Sequence, residues 1–425
     1  MRARPRRHRV VAALSGVVAM IVVLAGCAAD ARVRVDSPAQ VEATLTAETV
    51  QQLQDAVTAA MTATGSPGAI VGVWAPWSGT WVTALGTQTP AGSDAVSVDA
   101  QFRAGTVTRA MTCDVLYRLA AAGTMGLDDS VTKWVSGVPD LKDVTLRQLC
   151  DGTSGIGSSS AVLMGELLAN PSRVWNPREF ASFGLGQART TQPGAAWRDS
   201  DAGYLLLGLA LERASGQSAA ELLQEDVFGP LGMDASSLPD SAPDSASATV
   251  LKGYYSQRGG DGVVNCAAPL DITALSPSSA FTDSGAVTDI QDLGHYARAL
   301  AQGSLLPAGT DRLATATPPA DGAPSWFTTG GGVYKAGSLI GQYGAVPGYL
   351  TAAFSDPDSG LTVAVVLNNS AAGPGFASAL SWELAAIASK APPAAGQTAP
   401  DAGLPWTPEQ YRDLITAGAM CAPAQ

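Results

Sequence analysis

The chain is 425 residues long and 46% hydrophobic, with 25 Lys and Arg against 37 Asp and Glu, a formal net charge of -12. An acidic balance of this size excludes the phosphate-neutralising surface that nucleic-acid binding requires. The acids are dispersed between apolar runs, so the composition reads as a soluble body rather than a charged disordered tail.

Arg2, Arg4, Arg6, Arg7 and Arg9 come first, followed by an apolar run from Val10 to Leu24 and then Leu24-Ala25-Gly26-Cys27. A basic start, a short apolar stretch and small residues ahead of a cysteine predict a secretory signal peptide over 1–26. The run is short for a span of about 20 residues. Leu-Ala-Gly-Cys resembles the lipobox of bacterial lipoproteins, which implies a diacylglyceryl group on Cys27. It also implies an exported, lipid-anchored protein whose membrane partner is reached through that group, on the outer face of the cytoplasmic membrane.

Residues 27–44 are polar and aperiodic and are expected to form a tether. The body follows over 45–390. Val50, Leu53, Val57 and Met61 set a helical stripe from Thr46 to Thr64. Pro67-Gly68 ends it, and apolar stretches at Ala69–Trp74 and Trp81–Leu85 flank Ser78-Gly79 as in a hairpin. A core helix is predicted from Thr106 to Ala122, then helical segments at Thr145–Cys150, Tyr204–Ser215, Ala219–Val227 and Ile290–Ala301. Strands are predicted to return at Gly331–Tyr334, Leu339–Tyr343, Tyr349–Ser355 and Leu361–Asn368, before a helix over Ala377–Ser389. The fold class is therefore α+β: an antiparallel sheet formed from both ends of the domain, flanked by helices, with a mainly helical insert.

Residues 391–405 are rich in Ala, Pro and Gly and read as a linker. Over 406–425, Thr407-Pro408-Glu409-Gln410 supplies an N-cap, a Pro at the first helical position and a Gln at the third, a start for a short terminal helix. Besides Cys27 there are Cys113, Cys150, Cys266 and Cys421. An exported chain can pair an even number. Cys266 and Cys421 lie in irregular or terminal segments and are the expected bridge, whereas Cys113, inside a core helix, is expected as a free buried thiol.

Several chemistries drop out. The one histidine beyond the leader, His295, sits on a predicted helix, so neither a Ser-His-Asp triad nor a multi-histidine metal site can be assembled. Gly330-Gly331-Gly332 lacks the Gly-Lys-Ser/Thr of a phosphate loop. No metal and no cofactor is expected.

What remains is an ordered set of short motifs. Phe102-Arg103-Ala104-Gly105-Thr106-Val107-Thr108-Arg109 opens the core helix, and Leu146-Arg147-Gln148-Leu149 leads into Gly152-Thr153-Ser154-Gly155. Pro193-Gly194 precedes Trp197, Asp199-Ser200-Asp201 and Gly203-Tyr204-Leu205-Leu206-Leu207-Gly208. Pro230-Leu231-Gly232-Met233 follows a helix, and Gly341-Gln342-Tyr343-Gly344-Ala345-Val346-Pro347-Gly348-Tyr349 lies in the late strands. In this order the set resembles the serine β-lactamase and penicillin-binding protein family, in its class C β-lactamase and DD-peptidase branch, over about residues 47–390.

The resemblance implies acyl transfer. In that family an S-x-x-K on a helix places nucleophile and base on one face. A Y-x-N loop adds a proton carrier, an H/K-x-G strand adds a polar side chain, and two backbone N–H groups form an oxyanion hole. Here Thr106 stands at the Ser position, Arg109 at Lys, Asp199 at Tyr, Asp201 at Asn and Gln342 at His/Lys. Thr106 and Ala345 are the oxyanion-hole candidates and Gly344 lines the pocket. A guanidinium stays protonated and cannot serve as base. Arg109 is expected to face Asp199 and Asp201 as an ionic lock.

The resemblance with these substitutions implies a cell-envelope protein that binds or scaffolds at the wall, with a peptidoglycan peptide or an envelope protein as partner. Two alternatives stand beside it. One is an active DD-peptidase, β-lactamase or esterase using Thr106; the other is a surface interaction protein with no pocket ligand. With a neutral Gln342 and two added Asp, a neutral or cationic ligand fits better than penicillin.

Overall fold

Helix α1 (Ala47–Thr64) starts where the Thr46 hydroxyl accepts the Thr49 N–H and ends at Gly65, whose left-handed conformation (φ 66°) closes it. The computed structural model describes residues 32–421, apart from 190, 244–248, 261 and 402. Cys27 and the leader lie outside that range. No described helix is long and apolar enough to cross a membrane.

Strands β1 (Gly68–Ala75) and β2 (Gly79–Gly86) form the expected hairpin. Helix α2 (Val107–Ala121) is the core helix, and α3 (Asp201–Ser215) and α4 (Ile290–Ala301) follow. The remaining strands are β3 (Phe327–Gly330), β4 (Val333–Ala336), β5 (Leu339–Val346), β6 (Tyr349–Ser355) and β7 (Thr362–Leu367). They give one seven-stranded antiparallel sheet in the order β2-β1-β7-β6-β5-β4-β3. Ala69 pairs with Leu367 and Trp74 with Thr362, so the two ends of the domain meet side by side within the sheet.

Side chains along a strand alternate between faces, and here they divide between two cores. Ile70, Ala364, Val366 and Ala353 join the core containing α2, α3 and α4. Val71, Val73, Val363, Val365, Leu350 and Phe354 join the core beneath α1 and α5 (Gly375–Ala388). The helical insert between β2 and β3 therefore builds one side of the molecule and, with β5, the cleft.

The structure departs from the sequence reading in several places. Helices at Ser160–Ala169 and Pro177–Leu185 were not anticipated, and neither was β3. Gly331 and Gly332 (φ 57° and 77°) are the turn between β3 and β4 rather than the start of a strand. The segment expected to be one helix over 219–227 is α-helical only to Leu223 and widens to a π turn over Gln224–Phe228.

The terminal segments are also held more closely than their composition suggests. Within the expected 27–44 tether, Val33 N–H bonds the Pro230 carbonyl, and Ala43 and Thr80 join backbones. The 391–405 stretch is pinned by Trp77 Nε1 to the Ala391 carbonyl and by Ala394 N–H to the Trp77 carbonyl. Helix α6 (Pro408–Ala417) then packs on α5 through Trp382, Trp406 and Tyr411.

Cys266 is joined to Cys421. Cys113 is not the free thiol expected of it but is bonded to Cys150, at a Cα separation of 5.7 Å. A helical position with an apolar neighbourhood suits either state, and only the docking of the Leu146–Cys150 helix against α2 selects the bridge.

Candidate active-site cleft

A cleft of about 410 Å³ opens between the first turn of α2, strand β5 and the loop carrying Asp199. Gly105 (φ 56°) turns the chain into α2, placing Thr106 on the first turn. The Thr106 side chain caps nothing. Its hydroxyl donates to the Tyr343 carbonyl on β5 at 2.9 Å.

Arg109 lies one turn further on the same face. Its Nη1 meets Asp199 Oδ1 at 2.6 Å, its Nε meets Asp283 Oδ1 at 2.8 Å, and its guanidinium lies 4.8 Å from the Tyr204 ring centre. Side-chain exposure is 8% for Arg109 and 7% for Asp283 but 58% for Asp199, so Asp283 is the buried partner and Asp199 the outer one. Burial works against the Arg109 charge. Asp283 and Asp199 outweigh it and hold the guanidinium well above its ordinary pKa. Burial pushes the Asp283 carboxyl up to about 6; the Arg109 cation opposes this, while Asp201 and Asp199 add to it.

Asp283 was missing from the sequence reading. It sits in a one-turn helix, Phe281–Ser284, wedged between α2 and α3. Thr112 Oγ1 donates to the Thr282 carbonyl and Thr282 Oγ1 to the Tyr204 carbonyl, which fixes that turn from both sides. No local pattern in Ala280-Phe281-Thr282-Asp283 signals a partner 174 positions away.

Two expectations about the site change. Asp201 does not face Arg109. It is buried and accepts the N–H groups of Ser159, Ser160 and Ala202 at 2.6, 2.7 and 2.5 Å, capping the Ser160–Ala169 helix, whose own N-cap side chain makes no such bond. Gln342, unlike Asp201, does not line the cleft. Its Nε2 donates to the Gly332 carbonyl at 2.7 Å and its Oε1 accepts the Tyr343 N–H at 2.8 Å, so both ends of the amide are consumed in the wall behind β5.

Thr106, Arg109, Asp199, Asp201, Gly344 and Ala345 do come together around the cleft. Sequence reasoning also missed the aromatic side of the cleft. Trp197 and Tyr334 have ring centres 6.1 Å apart, and Tyr334 and Tyr343 4.6 Å. Burial raises the pKa of both phenols, so they stay neutral.

The arrangement holds a hydroxyl whose proton faces a neutral carbonyl, a cation that cannot accept that proton, and a carboxylate buried behind the cation. Acyl transfer needs an acceptor for the nucleophile's proton. None is hydrogen-bonded to Thr106 among the described residues.

The Beta-lactamase family model matches residues 53–386. Penicillin-binding protein 4* of Bacillus subtilis is 29% identical over 141 residues, 31% of this chain and 29% of that protein. Esterase EstB of Burkholderia gladioli is 33% identical over 152 residues, 32% of this chain and 38% of that protein. These matched stretches span about a third of the length of the curated relatives. Among solved structures, a D-stereospecific amidohydrolase from Streptomyces sp. superposes with a TM-score of 0.65 at 25% identity, covering 77% of this chain and 95% of that one. The octameric penicillin-binding protein homologue from Pyrococcus abyssi gives 0.64 at 22% identity, covering 80% and 77%.

Proposed function

The chain belongs to the Beta-lactamase family, and from that premise we propose that its cleft binds a ligand without turning it over, on a body lipid-anchored through Cys27 at the cell wall. The observation that carries this reading is the clamp on Arg109. A guanidinium held by Asp199 and Asp283 occupies the place where the family's resemblance puts a lysine base. Lysine can shed its proton when desolvated, whereas guanidinium does not. Thr106 keeps a hydroxyl, but its hydrogen bond runs to a carbonyl of low basicity.

The anchor rests on the leader and on Leu24-Ala25-Gly26-Cys27. A peptidoglycan peptide or an envelope protein is the partner this location offers. The esterase and D-alanyl-D-alanine-carboxypeptidase/endopeptidase activities of relatives belong to those proteins.

The test is covalent labelling. The protein is incubated with benzylpenicillin and with a thioester acyl donor, and its intact mass is recorded. No adduct is expected. An adduct on Thr106 that disappears in Thr106→Ala would overturn the reading and establish an active acyl hydrolase. Thr106→Ser combined with Arg109→Lys is expected to regain acylation. For the anchor, Cys27→Ala should move the protein from the membrane to the soluble fraction.

A further inference from the structure

The charges in the cleft are unevenly spent. Arg109 is the one cation among its described lining residues, and both sides of its guanidinium are taken by Asp199 and Asp283. Nothing cationic is left over for a ligand carboxylate. Of the three carboxylates, Asp201 is consumed by backbone N–H groups and Asp283 is buried behind Arg109. Asp199 differs. It is 58% exposed into the cleft, gives one oxygen to Arg109, and its Oδ2 takes no hydrogen bond from any described residue.

The walls beside it are aromatic. Trp197, two residues from Asp199 in the chain, stands edge-on to Tyr334, and Tyr343 continues the row. Ring faces carry negative potential and attract ammonium and guanidinium groups, more strongly where water is partly excluded. Tyr334 packs between Phe327 and Tyr343, and Tyr343 between Tyr334 and Phe354, so their faces are covered. The half-buried Trp197 is the ring left beside the free Asp199 oxygen, and together they make a receptor for an amine.

We propose that the cleft takes a small organic cation, with its protonated amine seated on the free oxygen of Asp199 beside the indole of Trp197. The volume of about 410 Å³ suits a ligand the size of an amino-acid amide or dipeptide. This rests on the reading of the cleft as a binding site and adds the charge of what it binds. An anionic ligand such as a penicillin carboxylate is disfavoured by the same inventory.

Calorimetry on the full-length protein in detergent tests it with three probes: Nα-acetyl-lysine methylamide, its side-chain-acetylated neutral counterpart, and Nα-acetyl-glutamate methylamide. The ammonium probe is expected to bind about tenfold more tightly than the neutral one, the size of one cation–π contact plus one partly exposed ion pair. That preference should shrink between about 0.01 and about 1 M salt, as the screening length falls from about 30 to about 3 Å.

Asp199→Asn should remove the preference while leaving weak binding of the neutral probe. Should that variant unfold, the charge and salt dependence of the unmodified protein decide the matter alone. Equal binding of the three probes, preference for the glutamate compound, or no binding at all would each overturn the proposal. The penicillin mass assay reads the other claim separately. An adduct with the ammonium preference intact sinks the non-catalytic reading only, and no adduct with no preference sinks the charge assignment only.

Discussion

Thr106 and Gly344 touch so closely that a Cβ added to Gly344 would lie 1.7 Å from Thr106 Oγ1 and 2.8 Å from its Cβ. Strand β5 and the first turn of α2 thus meet with no room for any side chain, and the hydroxyl is held in the cleft by that contact and by the Tyr343 carbonyl. Gly344→Ala is expected to cost about 1–3 kcal/mol, as overpacking does. Thr106→Ala made alongside it should return part of that loss, since it removes the nearest atom. Denaturant titration of the two single variants and the double variant measures the coupling. Strict additivity would mean that the strand moves away freely and that the contact does not position Thr106.

Arg109 is predicted to matter more for stability than Thr106. Arg109→Leu leaves Asp283 buried without its cation, and breaking one side of a buried ion pair costs about 3–5 kcal/mol. Thr106→Ala loses one hydrogen bond, worth about 1 kcal/mol. The double variant Arg109→Leu with Asp283→Leu should recover much of the loss. Equal midpoints for Arg109→Leu and Thr106→Ala in chemical denaturation would show that the clamp is not structural.

The sheet was legible because its central strands are short apolar runs between turn residues, buried on both faces, and α2 because Val107, Met111 and Val115 keep helical spacing. The site was legible only where a short motif carries its own geometry, as Thr106 and Arg109 do at three residues' spacing. Asp283 and the fate of Asp201 were not, because each is decided by a segment far away in the chain: Asp283 by the packing of a one-turn helix between α2 and α3, Asp201 by the free N–H groups at Ser159 and Ser160. Gln342 was misread for a related reason. Motif order identifies its position on β5, but the Gly332 carbonyl that captures its amide belongs to another turn.

Cys266–Cys421 closes a separation of 155 residues, and it ends a strap in which Met420 and Cys421 N–H groups both reach the Ala63 carbonyl at the end of α1. In the chain-entropy picture a loop that long contributes up to about 5 kcal/mol. Replacing both cysteines by Ser is expected to lower the denaturation midpoint and to make Arg412 on α6 an early tryptic site. Full alkylation of the native protein without reductant would refute both bridges.

Asp283 sets a pH dependence whose sign is opposite to that of an ordinary salt-bridged carboxylate. Its folded pKa, about 6, lies above the usual value of 3.8 because burial outweighs the attraction of Arg109. Between those two values the folded state binds more protons than the unfolded chain, so this residue's contribution to stability is full below about pH 4 and is lost as the pH rises through 6. A shift of about two pKa units corresponds to about 3 kcal/mol at most. Asp283→Asn cannot titrate. The stability of the unmodified protein minus that of Asp283→Asn should therefore grow as the pH falls from 7 to 4, read from urea unfolding at each pH. A difference that instead shrinks on acidification would mean that Arg109 dominates burial, and that the clamp is strongest when Asp283 is ionised.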